Sequence, residues 1–100
     1  MITAVSFQQL AKAEFFDAVE YYGSINRELA LAYIAAVEQA IAYIRQYPEG
    51  SPKIGETIRR KLVYGFPYGL LYAIHPDRIR ILAVMNQRRR PFYWLGRAFP

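Results

Sequence analysis

The chain has 100 residues, 54% of them hydrophobic, which predicts one domain with a packed core and excludes a disordered chain. It has no cysteine and one histidine, which excludes disulfide bonds, thiolate metal sites and a multi-histidine metal site within one chain. No apolar run approaches the roughly 20 residues of a membrane-spanning helix, and the N-terminal segment does not resemble a signal peptide. We therefore expect a cytoplasmic protein with no cofactor, no metal and no membrane association.

Charge is distributed unevenly along the chain. Residues 1–50 carry three basic and six acidic side chains, for a net charge of −3, whereas residues 51–100 carry ten basic and two acidic side chains, for a net charge of +8. A basic C-terminal half favours an anionic partner, which can be nucleic acid or an acidic protein surface. The alternative is a basic surface that is simply solvated.

The N-terminal half is predicted to contain one strand and two helices. Residues 2–7 are rich in β-branched and aromatic side chains, which is typical of a strand. Over residues 8–22, apolar positions recur at spacings of three and four, and Gly23 is predicted to end this helix. Asn26 is a candidate N-cap for a second helix, which Pro48 ends. Two amphipathic helices joined by a short turn predict an antiparallel helical hairpin.

The C-terminal half is predicted to form three strands, over residues 57–63, 66–74 and 78–86, after a loop at 49–56. In the strand at 66–74, alternate aromatic and aliphatic side chains are expected to face the core. In the last strand, strict alternation separates two sets, namely Ile79, Ile81, Ala83 and Met85 against Arg80, Leu82, Val84 and Asn86. The predicted fold is α+β, in the order β-α-α-β-β-β, with the hairpin on one face of a small antiparallel sheet.

Short motifs in a fixed order cover nearly the whole chain. They are Glu20-Tyr21-Tyr22, Val37-Glu38 and Tyr47-Pro48 in the helices, Ile58-Arg59-Arg60, Phe66-Pro67-Tyr68 and Leu71-Tyr72 in the central strands, and Val84 to Pro91 with Trp94 and Arg97 at the C-terminus. At these spacings, in a chain this short, the set resembles the RelE/ParE toxins of bacterial type II toxin–antitoxin systems. The similarity is greater to the ParE, or plasmid-stabilisation, branch.

The resemblance implies a toxin that inhibits growth and is neutralised by a cognate antitoxin encoded beside it. ParE-type toxins act on DNA gyrase, and RelE-type toxins cut messenger RNA in the ribosome, so gyrase or the ribosome with its mRNA is the implied target. A third alternative is an inactive member that still binds an antitoxin. The resemblance leaves open a homodimer or a toxin–antitoxin hetero-oligomer.

Asn86 stands where members of the family commonly carry histidine. An RNase that activates a 2′-hydroxyl needs a base, an acid and cations for the phosphate. The Asn86 amide does not titrate and cannot be that base, which favours a target-binding toxin over a nuclease. The remaining catalytic candidates are Arg80, expected on the same side of its strand as Asn86, and Tyr93 as a proton donor. The alternative role for Asn86 is a hydrogen bond at the strand end.

The candidate residues for binding a target or an antitoxin are mostly cations, because guanidinium groups bind carboxylates and phosphates with two parallel hydrogen bonds. They are Arg59, Lys61, Arg80, Arg88, Arg89, Arg90, Trp94 and Arg97. Strand alternation places Arg59 and Lys61 on one side and Arg60 on the other, and one of the three is expected to lay its stem along the sheet. A set of three carboxylates in the first helix is predicted to lie on a solvated face, namely Glu14, Asp17 and Glu20.

Overall fold

Two helices pack on a four-stranded sheet in a computed structural model, which describes residues 4–88. The elements are β1 (Val5–Phe7), α1 (Gln9–Ile25), α2 (Arg27–Gln46), β2 (Arg59–Leu62), β3 (Tyr68–Ile74) and β4 (Ile79–Asn86). The strand order in the sheet is β1-β4-β3-β2. The predicted α+β fold and its element order are confirmed.

The sheet is mixed, because β1 runs parallel to β4, with Val5 opposite Ile79 and Phe7 opposite Ile81. The other two pairs, β2–β3 and β3–β4, are antiparallel as predicted. Short connections force consecutive strands to reverse direction, but β1 is separated from β4 by the helical hairpin and two strands. No local turn therefore fixes the direction of β1, and alternation in the sequence cannot reveal it.

The two helices are joined by a single non-helical residue, Asn26. Its backbone is extended, its N–H donates to Tyr22 O at 3.1 Å, and its side-chain Oδ1 accepts a hydrogen bond from Leu29 N at 2.7 Å. Asn26 thus ends α1 and caps α2, as its candidate N-cap role required. The predicted stop at Gly23 is wrong, because α1 continues through Gly23 to Ile25. Gly23 instead lies against the second helix, where an added Cβ would be 3.7 Å from Ala30 Cβ.

A β-bulge in β4 interrupts its alternation. Leu71 lies opposite Ala83, but Tyr72 lies opposite Ile81, so Leu82 is an extra residue on β4. The side chains that face the helices are therefore Ile79, Ile81 and Val84, whereas Leu82 and Ala83 both join the cluster on the opposite face. The prediction of strict alternation is wrong beyond Ile81, and Asn86 does not share a face with Arg80.

The core between the helices and the sheet is centred on Tyr33 of α2, which is fully buried. Its ring contacts four other aromatic rings with centroid distances of 5.3–5.8 Å, namely Phe15, Tyr22, Phe66 and Tyr68. The predicted inward face of the strand at 66–74 is confirmed, because Tyr68, Leu70 and Tyr72 belong to this core. A second, smaller cluster lies on the other face of the sheet and includes Ile58, Leu71 and Ala73. Consequently, β3 is buried on both faces.

Glu14 ties α1 to β4. Its carboxylate accepts a hydrogen bond from Val84 N at 3.0 Å, just beyond the point where β1 ends. The prediction that Glu14 belongs to a solvated face is wrong, whereas Asp17 and Glu20 are exposed as expected. A backbone N–H at a sheet edge that lacks a neighbouring strand is satisfied here by a side chain from the helix.

Two fully buried tyrosines make a matched pair for testing this core. The hydroxyl of Tyr33 has no hydrogen-bond partner, whereas that of Tyr72 donates to Pro48 O at 2.6 Å. Removing an unsatisfied buried group is favourable, and leaving a carbonyl without its donor is unfavourable. We expect Tyr33→Phe to raise the free energy of unfolding in urea by about 1 kcal/mol and Tyr72→Phe to lower it by about 1–2 kcal/mol. Equal losses in the two variants would contradict this account.

The same burial makes stability fall at alkaline pH. Burial raises the pKa of Tyr22, Tyr33 and Tyr72 above the ordinary value of 10.0. The unfolded chain releases these protons near pH 10 while the folded chain retains them, so the contribution of these tyrosines to stability is constant below about pH 10 and decreases above it. Each retained proton steepens the decrease by up to about 1.4 kcal/mol per pH unit. Urea unfolding between pH 8 and 11 should show a shallower decrease for Tyr33→Phe than for the unmodified chain.

Candidate partner-binding site

The candidate site lies where β4 ends and β3 begins, beside α1. Two adjacent pockets of about 160 and 290 Å³ share Tyr68 and Asn86 in their linings. We call them together the strand-end cleft. The smaller pocket is also lined by Glu14, Asp17, Ala18 and Val84, and the larger by Tyr21, Tyr22, Pro67 and Arg88. One part of the cleft is therefore acidic, and the other is basic and aromatic.

Asn86 uses both polar atoms of its side chain within the protein. Its Oδ1 accepts a hydrogen bond from Arg88 N at 2.9 Å, which forms a tight turn at the strand end. Its Nδ2 donates to the hydroxyl of Tyr68 at 3.4 Å. These bonds fix the amide at the boundary between the two pockets. The side chain therefore shapes the turn that carries Arg88 into the cleft.

The bulge explains why Asn86 meets Tyr68. With Val84 directed at the helices, Asn86 follows two residues later on the same side, opposite Tyr68 in the strand register. Tyr22 of α1 packs against Tyr68 with ring centroids 6.3 Å apart. Burial and the proximity of Tyr68 raise the pKa of Tyr22, while the positive charge of Arg88 acts in the opposite direction. Arg88 thus adds a positive potential at the phenol of Tyr22.

Arg59 is held by the loop that precedes β2. Its guanidinium donates to two backbone carbonyl oxygens, those of Glu49 at 3.1 Å and Ser51 at 2.8 Å. Such charge-assisted bonds to carbonyl groups fix the course of the loop past the strand. A side chain predicted from the sequence to bind a partner is therefore used for loop structure.

The neighbouring cations of β2 lie on opposite faces, as alternation predicted. Lys61 lies on the helix side, with Nζ 4.1 Å from the centroid of the Tyr43 ring. Arg60 lies on the other side, where its stem covers Gly69, since an added Cβ there would be 3.2 Å from Arg60 Cγ. Arg60 is therefore the cation that lays its aliphatic stem along the sheet, as was expected of one of the three.

The two other predicted binding residues within the described range, Arg80 and Arg88, do not form one cluster. Arg80 lies between Ile79 and Ile81, which face the helices, so it is directed to the opposite face of the sheet. Arg88 lies at the strand-end cleft. The structure therefore separates Arg80 from Asn86 and Arg88. The other predicted residues lie outside the described range 4–88, namely Arg89, Arg90, Tyr93, Trp94 and Arg97.

A second surface, the hairpin groove, lies on the helical hairpin, and none of its lining residues was among the predicted binding residues. It has a volume of about 350 Å³ and is lined by Phe7, Lys12, Phe15, Phe16, Ile34, Val37, Glu38 and Ile41. Phe16 is 54% exposed at its rim. The adjacent pair Phe15-Phe16 was the available signal, because consecutive residues of a helix lie about 100° apart and two large rings side by side widen the apolar face of the helix.

Within residues 4–88, no group of three or more histidine, cysteine, aspartate or glutamate side chains is placed to hold a metal ion. In the same part of the chain, no helix has the length and apolar character needed to cross a membrane.

Arg59 offers a direct test of the structural role assigned to it. We expect Arg59→Ala to lower the free energy of unfolding by about 2–3 kcal/mol, because two carbonyl groups lose a charged donor. Arg27→Ala, an exposed cation at the start of α2, is the matched control and should change stability by less than about 0.5 kcal/mol. Urea unfolding of the three proteins measures the difference. If the stability of Arg59→Ala is unchanged, Arg59 is not held by the loop and is again a candidate for binding a partner.

Comparison with known proteins agrees with this architecture. Residues 5–91 match the family model of the ParE toxin of type II toxin–antitoxin system, parDE. A chain of the chromosomal ParDE TA system from P. aeruginosa superposes with a TM-score of 0.73 at 17% identity, covering 85% of this chain and 96% of that chain. A search of curated proteins found no matching relative. Since the family model spans most of the sequence, the chain belongs to the ParE toxin family of type II toxin–antitoxin systems.

Proposed function

We propose that this ParE-family toxin arrests growth by binding DNA gyrase, without chemistry of its own, and that a cognate antitoxin neutralises it. The observation that carries the binding mechanism is the strand end of β4. Asn86 occupies the position of the family's common histidine, and both polar atoms of its amide are engaged, with Arg88 N and the Tyr68 hydroxyl. A group that neither titrates nor is available to a substrate does not act as a general base.

The phenol of Tyr22 in the cleft does not replace that base. The pKa of Tyr22 is raised by burial, so its hydroxyl is protonated at neutral pH. The acidic side of the cleft holds Glu14, whose carboxylate is engaged by Val84 N. Arg88, by contrast, is exposed at the rim and carries its charge on a turn fixed by Asn86. This arrangement suits the capture of an anionic group on a partner protein.

The hairpin groove suits an antitoxin. Its walls are mostly apolar, with Lys12 and Glu38 as the charged residues of its lining and Phe16 exposed at the rim. An amphipathic helix that inserts its apolar face into such a groove is a common mode of peptide recognition. The basic residues of the C-terminal half favour acidic residues in the remainder of the antitoxin, which makes complex formation sensitive to salt.

The binding mechanism predicts a ranking of variants. An arginine whose partner is left unpaired at an interface is worth about 2–5 kcal/mol, and a neutral hydrogen bond is worth about 1 kcal/mol. We therefore expect Arg88→Ala to weaken growth arrest and inhibition of gyrase supercoiling more than Asn86→Ala does. Arg27→Ala, a matched loss of an exposed arginine on α2, should retain activity. Arg90→Ala, outside the described residues, is expected to behave like Arg88→Ala.

The same proteins, at matched soluble levels, should be tested on ribosome-bound mRNA. The unmodified chain is expected to leave the mRNA intact. Site-specific cleavage that is abolished by Asn86→Ala would contradict the binding mechanism and favour the ribosome-dependent nuclease. Normal growth at high soluble expression would favour the third alternative, an inactive member that retains its antitoxin. Rescue by the product of the adjoining reading frame tests the antitoxin itself.

A further inference from the structure

The edge of β4 extends well beyond its parallel neighbour. β1 pairs only with Ile79 to Ile81, and the last backbone bond on this edge runs from Gln8 N to Ile81 O at 2.8 Å. The chain then turns away into α1. The second half of β4, from Leu82 to Asn86, therefore has a strand neighbour on the β3 side alone, within the described residues.

The direction of the backbone groups on this segment follows from the bonds around it. Val84 N donates to the Glu14 carboxylate, so it points away from β3. Two residues later, Asn86 is paired with Tyr68, whose carbonyl oxygen accepts from Val63 N on the β2 side. The N–H and C=O of Asn86 consequently point to the same open edge as those of Val84.

Two of these groups are unpaired. Among residues 4–88, neither the carbonyl oxygen of Val84 nor the N–H of Asn86 has a hydrogen-bond partner, and the N–H of Val84 is bonded to the Glu14 carboxylate. In a sheet, one residue of an added parallel strand donates to the first of such groups and accepts from the second. An unpaired donor and acceptor at this spacing form a template for an extended segment.

The cleft beside this edge indicates which side chain the segment carries. The pocket of about 160 Å³ is bordered by Val84 and Asn86 themselves, and its polar wall includes the carboxylates of Glu14 and Asp17. Asp17 is exposed at its mouth. Side chains of an added strand project alternately to either face of the sheet, so one of them enters this pocket. A lysine or arginine complements its charge.

We propose that the β4 edge at Val84–Asn86 receives an extended segment of a protein partner by strand addition, with a basic side chain of that segment in the pocket beside Asp17. The partner is the antitoxin, and in this respect the inference rests on the proposed function. A segment bound here borders the pocket that contains Arg88 and covers that cation. The antitoxin thus occludes Arg88, the residue proposed to bind the target.

A second copy of this chain fits the edge less well. The open edge of β2 is already bridged by the preceding loop, where Arg60 N donates to Pro52 O at 3.1 Å. β1 has three residues and is followed at once by α1. Two copies joined through their β4 edges would place two acidic pockets, each lined by Glu14 and Asp17, next to each other. Charge complementarity therefore favours a partner of different sequence.

Amide hydrogen exchange measured by NMR tests the strand addition. The full chain, labelled with ¹⁵N, is compared alone and saturated with the product of the adjoining reading frame. We expect exchange at Asn86 N–H to slow by about tenfold or more, with cross-strand proton contacts between the partner and residues 84–86. Binding that leaves this amide unchanged would overturn the strand addition while the antitoxin role stands. Absence of any binding would overturn both.

A charge reversal tests the basic side chain. We expect Asp17→Lys to weaken the complex by about tenfold or more. Glu20→Lys is the matched control, because it makes the same change on an exposed turn of the same helix, outside the lining of the cleft. It should alter affinity by less than about threefold. Equal losses of affinity in the two variants would show an effect of net charge alone and would contradict the binding of a basic side chain in this pocket. Circular dichroism of both variants shows whether they fold.

Discussion

The β-bulge at Leu82 determines which side chains of β4 line the strand-end cleft. Before the bulge, β4 presents Ile79 and Ile81 to the helices, and after it Val84 does so. The extra residue thereby turns Asn86 to the side of α1 and Tyr68, while Arg80 stays on the opposite face of the sheet. With one residue fewer, the strand end would face the other way, because the side-chain period of a strand is two. The same bulge directs Val84 N towards Glu14 of α1.

The aromatic cluster around Tyr33 connects this strand end to the helical hairpin. Tyr22 from α1 and Tyr68 from β3 pack on Tyr33, and both also line the strand-end cleft. Aromatic rings contribute both buried area and preferred edge-to-face geometry, so they hold α1 at a fixed height above the sheet. The cleft consequently lies at the edge of the core, and two of its lining side chains are held in place by the packed aromatic rings. Such preorganisation lowers the entropic cost of binding a partner.

The cations of the C-terminal half that lie within residues 4–88 do not form one surface. Arg59 is bound by loop carbonyl groups, Lys61 lies over the ring of Tyr43, and Arg60 covers Gly69. Arg88 alone among the described candidate cations borders the cleft that also contains carboxylates. The described cations are thus divided between structural and surface roles. Recognition of the proposed antitoxin depends on the local arrangement of opposite charges and unpaired backbone groups more than on net charge.

The amino-acid sequence by itself determined the element order, the helical hairpin with its Asn26 cap, the inward face of β3 and membership of the RelE/ParE group. These features depend on interactions between residues near in sequence, or on a hydrophobic period that one element carries alone. Tertiary structure decided the parallel pairing of β1 with β4, the continuation of α1 beyond Gly23, the bulge at Leu82 and the roles of Glu14 and Arg59. Each of these is fixed by a contact between distant segments, which no local pattern encodes. A bulge in particular depends on how two strands and a helix fit together, so the face of Asn86 was decided only when α1 packed on β4.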